Sequence, residues 1–168
     1  EFAQKSQILK KNGASKRYYN TSIGWNFKMS DINAALGISQ LKRIESIIER
    51  KNSCAKFYDE LLSTIPEITV PTVREYNRAT YMLYSILIKD NELREKIRIG
   101  LETKGIETRI NFPSMHLQPA YIEKFGDTKG SLPISEDASE RILGLPIFIN
   151  MTQTDQELVV NVIKESMN

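Results

Sequence analysis

Few side chains in this sequence combine reactive chemistry with surroundings that would let them act on a small molecule. His116 is the only histidine. Set between Pro113 and Pro119, it is expected on a constrained loop rather than inside a helix. An imidazole there could contact a ligand, although a lone histidine is more often a hydrogen-bonding structural residue. Asn26 stands between Gly24 and a helix start at Ser30. Its carboxamide can donate to a phosphate oxygen or close an Asx-turn at the head of the helix. Lys28, two residues on, adds positive charge but lacks the planar two-point grip of an arginine. Tyr121 and Arg109 are weaker candidates; Arg109 ends a strand-like run, where pairing with a carboxylate is its simplest role. Cys54, the single cysteine, lies beside Ala55 at helical spacing and reads as a packed thiol. One histidine and no cysteine pair make a transition-metal site improbable.

The element that must position Asn26 and Lys28 begins immediately after them. Ser30 is a good N-cap, because its hydroxyl can accept from an otherwise orphan N–H of the first turn. Asp31 places a carboxylate at the positive end of the helix dipole. From Ser30 to about Leu62 the apolar residues Leu41, Ile44, Ile48, Ala55, Tyr58 and Leu62 recur in three- and four-residue steps, with Lys51 interrupting the seam. A single long helix linking two lobes is expected, ended by Pro66 and Pro71. A coiled-coil dimer is less well supported, since the pattern is short and imperfect.

On either side the patterns change. Glu1 to Lys11 reads as a helix stopped by Asn12-Gly13, and Ala14 to Ile23 as a polar, aromatic loop. Ala79 to Lys89 alternates as a strand, with Met82, Tyr84, Ile86 and Ile88 on the more apolar face. Asn91 to Lys104 is a helix closed by Gly105, and Ile106 to Phe112 a second strand halted by Pro113. A short helix over Pro119 to Phe125, a helix over Ser135 to Leu143, an extended run Leu145 to Ile149 and a closing helix from Thr154 to Met167, capped by Thr154, complete the chain. The expected architecture is α/β, with a small, mostly antiparallel sheet packed by helices after the long linking helix.

Bulk properties exclude several classes. At 168 residues the chain can bury one real core. Its formal net charge of +2 is too small to argue for nucleic acid. Lys5, Lys10, Lys11, Lys16 and Arg17 gather near the start, most simply as a solvated helix face and loop. The lone cysteine excludes a disulfide framework and suits a reducing, cytoplasmic setting. No apolar run reaches membrane-spanning length and no signal peptide is visible.

Three ordered segments carry a resemblance. Gly24, Asn26, Met29, Ala34, Ala35, Gly37, Gln40 and Leu41, with Lys28 in place of Arg, are similar to the G-x-N-x-R-M…A-A-x-G-x-x-Q-L segment of the DegT/DnrJ/EryC1/StrS sugar aminotransferases. Gly105-Ile106-Glu107-Thr108-Arg109, followed by Pro113-Ser114-Met115-His116-Leu117-Gln118-Pro119-Ala120-Tyr121, resembles the family's G-I-x-T-R…P-L-H-x-Q-P-x-Y. Leu132-Pro133-Ile134-Ser135-Glu136 and Leu145-Pro146 match its L-P-x-x-E…L-P. The resemblance implies the C-terminal part of a fold-type I transferase dependent on pyridoxal 5'-phosphate (PLP). It divides the chain into a remnant of the large cofactor domain (1–29), a linking helix (30–65) and a small C-terminal α/β domain (66–168).

The same resemblance implies a nucleotide-linked keto-sugar substrate from amino-sugar or cell-surface polysaccharide biosynthesis, an amino acid such as glutamate as amino donor, and a homodimer. The composition read above leads us to expect no membrane, nucleic-acid or metal partner. Asn26 would serve the cofactor phosphate of the neighbouring subunit. Lys28 would face phosphate or diphosphate, and His116 and Tyr121 would face the sugar. The chain has no initiator Met, and Glu1–Gly13 is similar to the segment after the family's Schiff-base lysine. That lysine, in its Ser/Thr-x-x-x-x-Lys context, has no match here, so no catalytic residue is assigned and the chain alone is expected to be inactive. The rival expectation is a non-catalytic sugar-binding or dimerisation domain that retains the fold.

Overall fold

In the computed structural model, which describes residues 1–167, the chain forms two units that divide between Ile44 and Glu45. The first begins with helix α1 (Phe2–Leu9). Its continuation is broken by Asn12 and Gly13, whose φ values of 59° and 76° lie in the left-handed region. A two-stranded antiparallel hairpin follows, β1 (Ala14–Lys16) and β2 (Tyr19–Asn20), with Ala14 opposite Asn20 and Lys16 opposite Tyr19. The loop expected over Ala14–Ile23 therefore contains a hairpin. Its strands are too short for alternation to register, and the left-handed tip is taken by Tyr18 (φ 62°) instead of the Gly or Asn that would announce it.

Gly24–Phe27 then runs alongside the end of α1. Trp25 N–H donates to Leu9 O (2.8 Å), Asn12 N–H to Trp25 O (2.9 Å) and Phe27 N–H to Lys10 O (3.0 Å). Glycine is required at this crossing, since a Cβ on Gly24 would sit 2.3 Å from the Gly13 nitrogen. Helix α2 (Asp31–Leu41) is capped as expected, with Asn33 N–H donating to Ser30 Oγ at 3.3 Å.

The continuous helix expected through Leu62 is instead two helices, so the linking element over 30–65 is interrupted. Arg43 N–H donates to Gln40 O (3.0 Å), three residues back. This tightened step separates α2 from α3 (Ile44–Leu62). The apolar seam divides at the same place. Cys54, Ala55, Tyr58 and Leu62 are buried, whereas Ile32, Leu36, Ile38 and Leu41 on α2 are exposed.

The second unit is built around a three-stranded antiparallel sheet, β3 (Ile68–Thr69), β4 (Tyr84–Ile88) and β5 (Ile142–Leu145), with β4 central. Ile68 pairs with Ile88 across one edge of β4, and Tyr84 with Leu145 across the other. Tyr84, Ile86 and Ile88 are fully buried, which agrees with the apolar face read from the alternation, but Met82, assigned to the same face, precedes the strand and is exposed. The strand itself is shorter than Ala79–Lys89. The residues before it are held to α3 instead, by Asn52 Nδ2 donating to Ala79 O (3.0 Å) and Lys51 Nζ donating to Tyr81 O (3.1 Å).

Around the sheet pack α3, α4 (Asn91–Thr103), α6 (Pro133–Arg141) and α7 (Gln153–Met167), whereas α5 (Pro119–Phe125) packs against the short turn that precedes it. Asp90 caps α4 by accepting from Leu93 N–H, and Gly105 closes it at φ 74°. The α7 cap lies two residues before the expected Thr154. Thr152 Oγ1 accepts from Asp155 N–H, and Asp155 accepts from Thr152 N–H in return.

Two extended segments differ from expectation. β5 occupies Ile142–Leu145, so Leu143 is strand, not helix. Ile106–Phe112 is not a strand and makes a single antiparallel bridge, Arg109 to Gly144. Beside this bridge the Asn111 side chain lies close over Gly144, where a Cβ would come within 2.5 Å of its Nδ2. Among the described residues no helix is long and apolar enough to cross a membrane.

Candidate functional site

In the first unit the turn after α1, the hairpin and Lys28 line one open concavity of about 1010 Å³. Four of its lining residues are cationic, Lys11, Lys16, Arg17 and Lys28, and none is acidic. The Arg17 guanidinium lies over the Tyr18 ring at 5.0 Å, which orients it at the hairpin tip. Four positive charges around one hollow with no internal counterion favour an anion, the more so where ligand displaces water.

Asn26 is fixed through its backbone, which bridges to Lys11. Trp25 and Phe27 stack on each other with ring centroids 5.8 Å apart. By the alternation of extended chain, Asn26 between them projects the other way. Its carboxamide makes no hydrogen bond among the described residues, so the Asx-turn weighed as its alternative role does not form. The N-cap contact of α2 is made by Ser30, as expected.

The second unit positions His116 and Tyr121. His116 falls in a 3-10 turn, Met115–Leu117, between the two prolines. The turn is anchored by buried Ser114, whose Oγ donates to Ser135 O at 3.1 Å. His116 Nε2 lies 2.9 Å from Glu136 Oε1, with both side chains more than four-fifths buried. The Glu136 carboxylate also accepts from Gly130 N–H (2.9 Å) and Leu132 N–H (3.2 Å). The hydrogen bond from His116, followed by those two backbone donors, holds the Glu136 carboxyl below its ordinary range. Tyr121 lies on α5, half-exposed, its ring tilted against Phe125 at 6.1 Å.

Arg109 Nε and Nη2 both donate to Glu107 Oε1, at 3.1 and 2.9 Å, so its simplest sequence role is realised. The pair borders a smaller hollow of about 340 Å³ with Asn111, Met82 and Phe148. Cys54 is buried, and desolvation raises its thiol pKa, which suits a packed thiol and not a nucleophile.

Asn26 and Lys28 thus belong to the first unit, His116 and Tyr121 to the second. Sequence reasoning did not single out Glu136, although its place in L-P-x-x-E was visible. The grouping of Lys11, Lys16 and Arg17 was visible too, but only the hairpin turns that basic run into a hollow.

Comparison with known proteins gives a consistent result. A family model described as the DegT/DnrJ/EryC1/StrS aminotransferase family matches residues 1–164. A GDP-perosamine synthase from Escherichia coli O157:H7 is 31% identical, over 89% of this chain and 40% of that protein. An uncharacterized protein of Methanocaldococcus jannaschii is 34% identical, over 98% of this chain and 47% of its own length. Among solved structures, S. venezuelae DesV superimposes with a TM-score of 0.87 at 25% identity, covering 99% of this chain and 44% of DesV. An aminotransferase from Brucella abortus gives 0.80 at 29% identity, covering 95% and 42%. The chain spans less than half the length of these curated relatives.

Proposed function

We propose, from the premise that this chain belongs to the DegT/DnrJ/EryC1/StrS aminotransferase family, that the whole protein transfers an amino group from an amino acid, glutamate foremost, to a nucleotide-linked keto-sugar. Aminotransferases of this family depend on PLP. The observation that carries the reading is the acid-free basic hollow beside the exposed Asn26 turn. A phosphate suits the hollow chemically, because four cations line it; Asn26, whose backbone bridges to the lining residue Lys11, offers beside it an amide donor without an internal partner. Asn26 would hold the PLP phosphate of a neighbouring subunit, in a homodimer. Lys28, with Lys16 and Arg17, would face the diphosphate of the sugar nucleotide. The GDP-perosamine synthase relatives support a nucleotide-linked sugar. PLP, when bound, supplies the electron sink that amino transfer needs. His116 and Tyr121 would contact the sugar. The anchoring lysine is not assigned to any residue here, so this chain alone does not carry out the reaction.

One hydrogen bond from Asn26 to a charged phosphate contributes about 1.5–3 kcal/mol. Asn26→Ala in the whole enzyme should therefore weaken PLP binding roughly ten- to hundredfold without unfolding it. Subunit mixing tests the assignment in trans. Full-length subunits lacking the anchoring lysine are mixed with subunits carrying Asn26→Ala, and product is followed by mass spectrometry. Mixed dimers contain one site with its own lysine and an intact Asn26 from the partner, so activity should exceed that of either parent. Confirmed mixing without recovery of activity would end the assignment of Asn26 across the subunit boundary.

A further inference from the structure

We propose that Glu136 is a positioning residue that locks His116 as the Nε2–H tautomer, leaving Nδ1 as a solvent-facing hydrogen-bond acceptor. The argument is a count of donors. Glu136 Oε1 already receives Leu132 N–H at 3.2 Å, and Gly130 N–H reaches both carboxylate oxygens at 2.9 Å. An ionised carboxylate has only acceptors to offer, so the imidazole nitrogen 2.9 Å from Oε1 has to be the donor. In a neutral ring the other nitrogen is then unprotonated.

Nδ1 has no partner among the described residues, and no fully buried side-chain nitrogen or oxygen among them lacks one. Nδ1 must therefore reach solvent, although the side chain as a whole is only 17% exposed. The carboxylate also strengthens Nδ1 as an acceptor by drawing on the Nε2 proton. The ring is thus matched to a ligand that donates, such as a hydroxyl or an amino group, and mismatched to a bare carbonyl or phosphate oxygen. Identifying that donor as a sugar hydroxyl rests on the function proposed above; the tautomer does not.

Because His116 is the only histidine, long-range proton–nitrogen correlation spectra of the nitrogen-15-labelled chain report on this ring alone. They are recorded at a pH where the same spectra show the ring to be neutral. The expected result is a single tautomer, with Nδ1 at the unprotonated shift, rather than the mixture that free histidine shows. A slowly exchanging Nε2 proton should accompany it. In Glu136→Gln the amide oxygen keeps the backbone donors and the NH₂ group turns to the ring, so the population should move to the Nδ1–H form. Glu136→Asp retains a carboxylate and should hold the original form. A tautomeric mixture in the unaltered protein, a protonated Nδ1, or an unmoved pattern in a folded Glu136→Gln variant would overturn the proposal. If Glu136→Gln does not fold, the spectrum of the unaltered protein decides alone. Loss of sugar contact with the tautomer intact would instead count against the proposed function.

Discussion

The two units of this chain solve opposite problems. Residues 45–168 contain fifteen basic and nineteen acidic side chains and enclose a continuous core, with Tyr58, Leu62, Ile86, Ile97 and Ile163 completely buried. Residues 1–44 contain eight basic and two acidic side chains, and among them only Gly13 is buried. Their large apolar groups, Phe2, Trp25, Phe27, Ile32 and Leu36 among them, lie on the surface. The second unit is stabilised by burial in the ordinary way. The first holds its shape by backbone hydrogen bonds, two interlocked glycines and short turns, and presents charge and apolar surface outward. Exposed apolar area of that extent marks a surface for interaction. The difference teaches that order and burial are separable: the region proposed to hold phosphate is shaped by main-chain geometry, not by a core.

The strongest challenge to this contrast is a matched pair of truncations. Ile86→Ala removes a fully buried side chain from the central strand and should cost roughly 2–5 kcal/mol. Leu36→Ala on α2 should change stability by about 0.5 kcal/mol or less. Urea denaturation of the chain followed by circular dichroism measures both, and equal costs would erase the distinction.

A smaller effect should come from Gly24→Ala. The added methyl would meet the backbone nitrogen of Gly13, and forcing such contacts costs about 1–3 kcal/mol. The loss should stay local, seen as faster amide exchange at Asn12, Trp25 and Phe27 while the global unfolding midpoint is unmoved. A shift of the midpoint as large as that of Ile86→Ala would show that the units unfold together.

The smallest expected effect is a pH dependence confined to the second unit. The folded-state pKa of Glu136 is depressed, chiefly by the hydrogen bond from His116. Its contribution is therefore fully present above the ordinary glutamate value of about 4.3, and is lost as pH falls through the lower folded value. Asp155, depressed by its bonds from Thr152, acts in the same direction at the start of α7. Acid titration should release the Gly130 and Leu132 amides in that window. Glu136→Gln should remove this component and leave the hairpin amides unchanged.

The fold of the second unit was largely legible in the sequence, for identifiable reasons. Gly105 closes α4, Pro119 opens α5, and the alternation through Tyr84, Ile86 and Ile88 marks a half-covered strand. Legibility fails where a short tertiary contact decides the conformation. Ile106–Phe112 has strand-like composition, yet it makes one bridge only, at Gly144, the glycine that Asn111 packs onto. The Ser30–Leu62 pattern is helical throughout, and nothing in its residue types signals the tightened step at Arg43. For the candidate site, residue types were informative and arrangement was not. His116 stood out, but its partner Glu136 lies twenty residues away and is recognisable only once the chain has folded back.

The pairing of Tyr84 with Leu145 has a consequence for how the molecule is made. β3 reaches one edge of β4 from close by in sequence, but the other edge waits for a strand that emerges only after α4, α5 and α6. Closing a loop of that length is slow compared with forming the local hairpin of the first unit. During synthesis, Tyr84-Ser85-Ile86-Leu87-Ile88 therefore spends a long interval as an apolar strand with one open edge. Nascent chains held at high local concentration are most prone to sticking to one another at this segment, and the arrival of Ile142–Leu145 ends that exposure.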